Sequence, residues 1–458
     1  MKIGLLSLGC PKNLVDSEVM LGLAEQAGHE VTASASDADV LVVNTCAFVD
    51  SAKQESIAAI LEMAGHRKAG TCSRLVVTGC LAERYRDELQ RLIPEIDVLL
   101  GTGEVPDVVR ALGVPPGAMA PVGVAAPLPL YRGRREVPTY LYDADTPRHL
   151  STPPHYAYVK VAEGCDYACA FCIIPTLRGP YRSRPHDSIV REAEQLAARG
   201  VKELLLISQD TSFYGLDRRE RGALARLLRR LDRVDGLAWI RLLYLYPTTV
   251  TDDVLEAMAD CEKVCRYVDL PLQHSAGSVL GRMRRPGDRA GYERLLQRIR
   301  DRVPGVALRT TLIVGFPGET EDEFADLRSF VAAAGFDHLG VFAYSHEEGT
   351  AAHALADDVP AATKRRRRAD LMRAQRRHVE RRHREWLGQQ VRLLLDGPSR
   401  EHHFVWQGRL ETQAPEIDPV VYLTDCDPAA LEAGRIIDAE IVGARGYELV
   451  ARPVAGTW

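Results

Sequence analysis

No window of the chain offers the roughly 18 uninterrupted apolar residues of a membrane-spanning helix, so no span is expected. The first apolar run, Ile3 to Leu8, falls short of the roughly 7–15 residues of a secretory signal core. Lys12, Asp16 and Glu18 follow at once, with no small-residue cleavage pattern, so the expected location is the cytoplasm. No repeat of the solenoid kind is visible. Neither sign of charge dominates: 58 basic and 63 acidic side chains leave a net of −5. The balance is uneven along the chain. Residues 1–117 carry 10 basic against 16 acidic groups and residues 386–458 carry 6 against 11, so the middle is net basic.

Cysteine, by contrast, is well represented, with ten residues. A reducing cytoplasm disfavours disulfides, which leaves metal ligation or catalysis as the better reading. A cysteine directly after an apolar run, as in "LLSLGCPKN", also resembles a lipidation site; the other cysteines weigh against that reading.

The 458 residues exceed one ordinary domain, and two to three are expected. Residues 1–117 alternate apolar runs ("KIGLLSL", "ADVLVVNT", "RLVVTG", "IDVLLG") with amphipathic stretches, one of them N-capped by Ser51. This rhythm predicts an open parallel α/β sheet covered by helices. Residues 118–150 are rich in Pro, Gly and Ala and read as a linker or crossing segment. Residues 151–385 return to the βα rhythm with six candidate strands, a partial or complete parallel (β/α) barrel. They end in a charged helix with 11 basic and 3 acidic side chains between Lys364 and Glu385. Residues 386–456 alternate short strands and predict a small antiparallel β-barrel.

Cys10, Cys46 and Cys80 each follow a candidate strand of the first domain. In an open parallel sheet those carboxyl ends share one edge, where ligands bind. Three thiols far apart in sequence can therefore meet and ligate an iron–sulfur cluster. The plainer reading is three small buried residues at strand ends; equivalent topological positions favour the cluster. Cys165, Cys169 and Cys172 form a C-x-x-x-C-x-x-C loop in "EGCDYACAFC", again after a strand. Three thiolates can hold three corners of a cubane cluster and leave the fourth iron open to a small molecule bearing an amine and a carboxylate. Zinc is the weaker alternative, because no fourth Cys or His follows before His186.

"CDYACAFC", with an aromatic before the last cysteine, resembles the radical S-adenosylmethionine signature. Together with the three-cysteine N-terminal domain and the C-terminal barrel, which resembles the TRAM module, nearly the whole chain resembles the methylthiotransferases. The resemblance implies two [4Fe–4S] clusters. One, on Cys165, Cys169 and Cys172, would cleave S-adenosylmethionine reductively to a 5′-deoxyadenosyl radical. The other, on Cys10, Cys46 and Cys80, would deliver a methylated sulfur. An electron donor and a sulfur donor are expected as partners, and the chain is expected to act as a monomer.

Two substrate classes divide the family: adenosine in tRNA, and an aspartate of small-subunit ribosomal protein twelve. "LGCPKN", "SQDTSFYG", "YLYP", "PLQHSAGSVLGRMRR" and "LRTTLIVGFPGET" resemble the ribosomal-protein branch. An acidic C-terminal barrel also suits a basic protein better than RNA phosphates, unless the charge serves solubility alone. A non-catalytic cluster protein that docks on the ribosome is the rival of a different class. The Arg365–Arg368 run is either a solvated helix face or a contact to ribosomal RNA.

Other features carry two readings each. Gln209 and Asp210 meet the cofactor or cap the next turn. Gly315, Pro317 and Gly318 wall the cofactor site or make a βα turn, with Glu319 or Thr320 near a helix N-terminus. His274 touches substrate or is a satisfied rim histidine. Cys72, Cys261, Cys265 and Cys426 read as structural or incidental, although Cys261 and Cys265 are spaced to share a helix face.

Overall fold

The computed structural model describes residues 1–113, 137–399 and 405–454. Residues 118–136 of the expected linker, and Trp458, therefore lie outside the described residues.

The first domain is a five-stranded parallel sheet. Its strands are β1 (Lys2–Ser7), β2 (Glu30–Thr32), β3 (Val40–Thr45), β4 (Arg74–Gly79) and β5 (Val98–Leu100), in the order β2-β1-β3-β4-β5. β3 is buried along its whole length, as a parallel strand covered on both faces must be. The strand order reverses between β1 and β3, and the crevice at such a reversal is where open α/β sheets bind ligands. The helix Pro11–Gln26 returns from β1, and the helix Asp50–Lys68 from β3. The latter starts from Val49, so Ser51 lies inside the first turn and is not the cap. Strand β2 has no counterpart among the expected strands. It is three residues long with no buried position, too short and too exposed for an apolar pattern.

Residues 137–150 cross between the domains in close contact with both. Arg148 donates to Glu18 at 2.8 Å and to Glu192 at 2.7 Å. Tyr142 is buried and donates to Glu192 at 3.0 Å.

The central domain is a partial barrel of six parallel strands. They are β6 (Tyr156–Lys160), β9 (Glu203–Ile207), β10 (Trp239–Leu242), β11 (Tyr267–Asp269), β12 (Ala307–Val314) and β13 (His338–Ala343). The two three-stranded runs, β10-β9-β6 and β11-β12-β13, are joined by a parallel bridge between Ile240 and Val264. Side chains alternate between the two faces. Ala157 and Val159 of β6 pack with Leu204 and Leu206 under the outer helices, whereas Tyr156 and Tyr158 pack inward with Val15, Val19 and Met20 of the first domain. A two-stranded hairpin, β7 (Ala162–Glu163) with β8 (Arg182–Ser183), closes the loop that carries Cys165 to Cys172. The charged helix spans Ala361–Trp386 along the outside.

The C-terminal domain is a closed barrel of β14 (Gln390–Pro398), β15 (Trp406–Arg409), β16 (Val421–Leu423), β17 (Ile436–Arg445) and β18 (Glu448–Pro453), in the order β14-β15-β16-β18-β17. The expectation of an antiparallel barrel holds for four ladders, but β16 and β18 pair in parallel. This barrel caps the amino-terminal mouth of the central one. Arg409, 1% exposed, sits between Glu203 at 2.6 Å and Asp396 at 2.9 Å. Glu416 accepts from Tyr156 at 3.2 Å and Tyr158 at 3.1 Å, and Asp418 accepts from Tyr267 at 2.6 Å.

Candidate functional site: two cysteine triads facing across a charged seam

Cys10 caps the helix Pro11–Gln26, Cys46 follows the last residue of β3, and Cys80 opens the short helix Cys80–Arg84 after β4. All three stand at the carboxyl edge of the sheet, with Cys10 and Cys46 on either side of the reversal. Gly9 makes the approach possible. Its φ is +92°, and an added Cβ would lie 2.7 Å from Cys46 Cβ and 3.1 Å from Cys46 Sγ. Asn13, only 1% exposed, ties the three turns together. Its Nδ2 donates to the carbonyl of Leu8 at 3.1 Å and of Thr45 at 2.8 Å, and its Oδ1 accepts from the Cys80 thiol at 3.8 Å. Burial pushes the Cys46 thiol up, and pushes Cys80 up to about 12, with the neighbouring thiols adding to the shift.

The second triad lies on the β7–β8 loop. Gly164 turns it with φ +87°, and a Cβ there would meet the Pro180 carbonyl at 2.0 Å. Burial raises Cys165 to about 11 and Cys172 to about 12. Arg285 donates to Cys169 Sγ at 3.5 Å and lies 4.4 Å from the centre of the Tyr246 ring, which stacks on Tyr167 at 3.9 Å. Cys46 and Cys80 are buried, Cys165, Cys169 and Cys172 are half-buried and Cys10 is exposed. Thiols that disfavour their thiolates, as Cys46, Cys80, Cys165 and Cys172 do, are donors suited to a cationic iron–sulfur core, which reverses that penalty. Among the described residues no three His, Cys, Asp or Glu side chains converge tightly enough to hold a single metal ion.

A charged seam joins the triads. The helix Ile174–Arg178 leaves the second loop and ends on Arg178, which is 3% exposed. Arg178 donates to Asp16 at 2.8 Å, to Glu163 at 3.0 Å, to Cys80 Sγ at 3.9 Å, and to Asn13 Oδ1. Glu163 also accepts from Lys160 at 2.6 Å and Gln209 at 2.5 Å. Burial works against its ionisation, but Arg178 and Lys160 outweigh that and hold the carboxyl far below the usual range. Lys12 sits beside the seam, with its ammonium 3.1 Å from the centre of the Tyr244 ring. Burial lowers it to about 8.

The two-sided features resolve as follows. Asp210 is a cap: it accepts from the amide of Phe213 at 3.2 Å, and its other oxygen takes Tyr167 at 2.9 Å. Gln209 faces the seam. Thr320, not Glu319, caps the helix Glu321–Ala334, while Glu319 accepts from the Gly315 amide at 2.5 Å. His274 is fully buried and its Nδ1 accepts from the Ala276 amide at 3.0 Å, but its Nε2, 3.9 Å from Glu319, has no hydrogen-bond partner among the described residues, so the expected satisfied histidine is satisfied at one nitrogen only. Cys72, Cys261 and Cys265 are buried and Cys426 is partly so. The helix Asp252–Asp260 ends before Cys261, so that pair shares no helix face. Asn13, Lys12 and Arg178 were not singled out by sequence reasoning, although "LGCPKN" contains two of them. A cavity of about 300 Å³ at the opposite end, between the two barrels, touches none of these groups.

This fold, with a three-cysteine loop at the carboxyl end of a partial barrel, defines a radical S-adenosylmethionine enzyme, a class that uses S-adenosylmethionine and a [4Fe–4S] cluster. Residues 2–101 match the uncharacterized protein family UPF0004, residues 159–331 the radical SAM superfamily, and residues 387–454 the TRAM domain. The chain is 46% identical to the ribosomal protein uS12 methylthiotransferase RimO of Koribacter versatilis, over 98% of this chain and 96% of that one. It is 45% identical to the protein of the same name from Trichlorobacter lovleyi, over 99% and 98%. The chain belongs to this methylthiotransferase family. Among solved structures, the radical S-adenosylmethionine methyltransferase TsrM from Kitasatospora setae, with cobalamin and a [4Fe–4S] cluster bound, superposes with a TM-score of 0.52 at 17% identity, over 75% of this chain and 72% of that one. The cobalamin-dependent S-adenosylmethionine radical enzyme OxsB does so with 0.53 at 11%, over 77% and 54%. These two likenesses concern the fold alone.

Proposed function

We propose that this methylthiotransferase adds a methylthio group to the β-carbon of an aspartate of small-subunit ribosomal protein uS12, with one [4Fe–4S] cluster on Cys165, Cys169 and Cys172 and a second on Cys10, Cys46 and Cys80. The observation that carries the reading is the juxtaposition of the triads across Arg178, which touches Cys80 and leaves the loop of Cys172. When bound, the first cluster supplies the electron that cleaves S-adenosylmethionine, and the second the sulfur. The chain's own residues orient and enclose. Asn13 holds three turns in register, Arg178 and Lys160 neutralise Asp16 and Glu163, and the C-terminal barrel closes the far mouth. An unactivated carbon is not acidic enough for a general base, so the fold needs no base beside it. An electron donor and a sulfur donor serve the reaction, and the chain acts as a cytoplasmic monomer.

Charge does not choose the substrate as the sequence suggested. Asp396, Glu411, Glu416 and Asp418 of the acidic barrel face the central domain. Within the basic run, Arg367 is buried against Glu319, Arg366 pairs with Glu321, and Arg368 donates to the Val341 carbonyl. The substrate reading rests on the full-length relatives instead. Mass spectrometry of uS12 and of digested tRNA from a strain lacking the gene tests it. Loss of the methylthio mass from uS12 with unchanged tRNA is the expected result. Loss of methylthioadenosine from tRNA would overturn the substrate, and loss of neither would overturn the activity.

A further inference from the structure

The carboxylates around the seam are each answered by a cation. Asp16 has Arg178 and Lys160, Glu163 has the same two, and Asp269 has Arg309 at 2.8 Å and the Tyr244 amide at 3.0 Å. Lys12 breaks the pattern from the other side. Its side chain is buried, 8% exposed, yet among the described residues no carboxylate oxygen lies within ion-pair distance of Nζ. An ammonium carries three hydrogen-bond donors and is costly to bury without an opposite charge. The Tyr244 ring offers a face but no lone pair directed at those donors.

The placement of this ammonium is specific. Lys12 stands two residues beyond Cys10 on the first turn of its helix. Tyr244 lies just past the carboxyl end of β10, in a left-handed conformation with φ +61° that a tyrosine rarely adopts. That turn is held from both sides: its amide donates to Asp269, and its carbonyl accepts from the Thr211 amide at 2.8 Å. Backbone strain of this kind persists where the surrounding structure over-determines it, often at ligand sites. The strain here places an aromatic face under an unpaired cation, at the rim where the barrel meets the first triad.

We propose that Lys12 is a substrate-binding residue that receives the side-chain carboxylate of the target, and so selects an aspartate over an uncharged side chain. This inference rests on the functional reading above. A carboxylate on Lys12 gives this ammonium the acid that it lacks among the described residues, and it brings the adjacent β-carbon beside Cys10 and towards the second triad. A neutral amide of the same shape gives the ammonium a dipole in place of a charge.

The test uses the reconstituted enzyme and two synthetic uS12 peptides, one with the modified aspartate mapped by the mass spectrometry above and one with asparagine in its place. Wild type should bind the aspartate peptide about 10- to 100-fold more tightly, the range of a charge-assisted contact. In Lys12→Met the ratio should fall close to one, and in Lys12→Arg it should be partly kept. Iron content and cluster absorption report integrity. Lys12→Gln is the second variant, and the ratio is read in whichever neutral variant retains iron. A ratio kept by that variant overturns the inference, as does loss of iron by both, which would assign Lys12 to the first triad. A wild-type enzyme that thiolates uS12 but binds both peptides equally overturns the inference alone. One that neither binds nor thiolates uS12 overturns the functional reading and the inference with it.

Discussion

Arg178 lies 3.9 Å from the Cys80 sulfur, although it is only six residues past Cys172 in the other triad. One guanidinium therefore belongs to the exit of one cysteine loop and to the wall of the other site. Both triads are thus positioned by the same buried ion network, and a change in that network is felt on both sides.

Arg178→Met removes the shared cation and leaves Asp16 and Glu163 with Lys160 alone. Breaking a buried pair from one side costs about 3–5 kcal/mol. A lowered melting temperature and reduced iron content are expected, and Arg178→Lys should recover part of both. A variant that melts like wild type would show that the seam contributes nothing to the docking of the two domains.

The triads should separate by function. Cys169→Ala should abolish release of 5′-deoxyadenosine from S-adenosylmethionine. Cys46→Ala should keep that release and lose thiolation of uS12. Product analysis by liquid chromatography reads both. Full thiolation by Cys46→Ala would refute the assignment of the second cluster.

Asn13→Ala deletes contacts to Leu8, Thr45 and Cys80 together and leaves two carbonyls without their side-chain donor. Each unsatisfied buried polar group costs about 1–3 kcal/mol. Iron bound by the first domain should fall while the absorption of a cluster on the second triad persists. Iron counting on Asn13→Ala in a Cys169→Ala background isolates the first triad.

Glu203 is fully buried between Arg241 at 2.7 Å and Arg409 at 2.6 Å, where the C-terminal barrel seats. Glu203→Gln leaves Arg241 without an acid and Arg409 with Asp396 alone. A loss of about 3–5 kcal/mol is expected. Limited proteolysis should release the C-terminal barrel earlier than in wild type.

His274 gives a pH signature. Burial depresses its pKa to about 4 from an ordinary 6.5; Glu319, Glu323, Asp326, Arg282 and Arg367 are the charged groups around it. Between these values the unfolded chain takes the proton and the folded one does not. The contribution is therefore fully present above 6.5 and is lost as pH falls towards 4. His274→Asn, which keeps an acceptor for the Ala276 amide, should flatten this slope by up to about 1.4 kcal/mol per pH unit. Denaturant melts at stepped pH measure the difference.

Much of this architecture is written in local sequence. "KIGLLS", "VLVVNT" and "RLVVTG" are continuous apolar runs, and a strand buried on both faces must be such a run, so β1, β3 and β4 and the cysteines after them were legible. Lone features misled where they depend on neighbours. Ser51 has a capping side chain, but the helix begins one residue earlier, at Asp50. Cys261 and Cys265 have helical spacing, but the helix has already ended. The parallel pairing of β16 with β18 leaves no mark in strands this short, because ladder direction is a property of the partner. The acidic surplus of residues 386–458 was countable, but where it points was not.

The sequence by itself determined the cysteine sets, the order of the three domains and the family, because each is carried by spacing, periodicity or identity along the chain. Only the tertiary structure decided that Asn13 binds three turns, that Arg178 spans both triads, and that Lys12 is a buried cation without an acid among the described residues. Those facts are distances between residues as many as 232 positions apart, as Lys12 and Tyr244 are. Such distances are set by how the first domain seats on the rim of the barrel, and no local pattern encodes them.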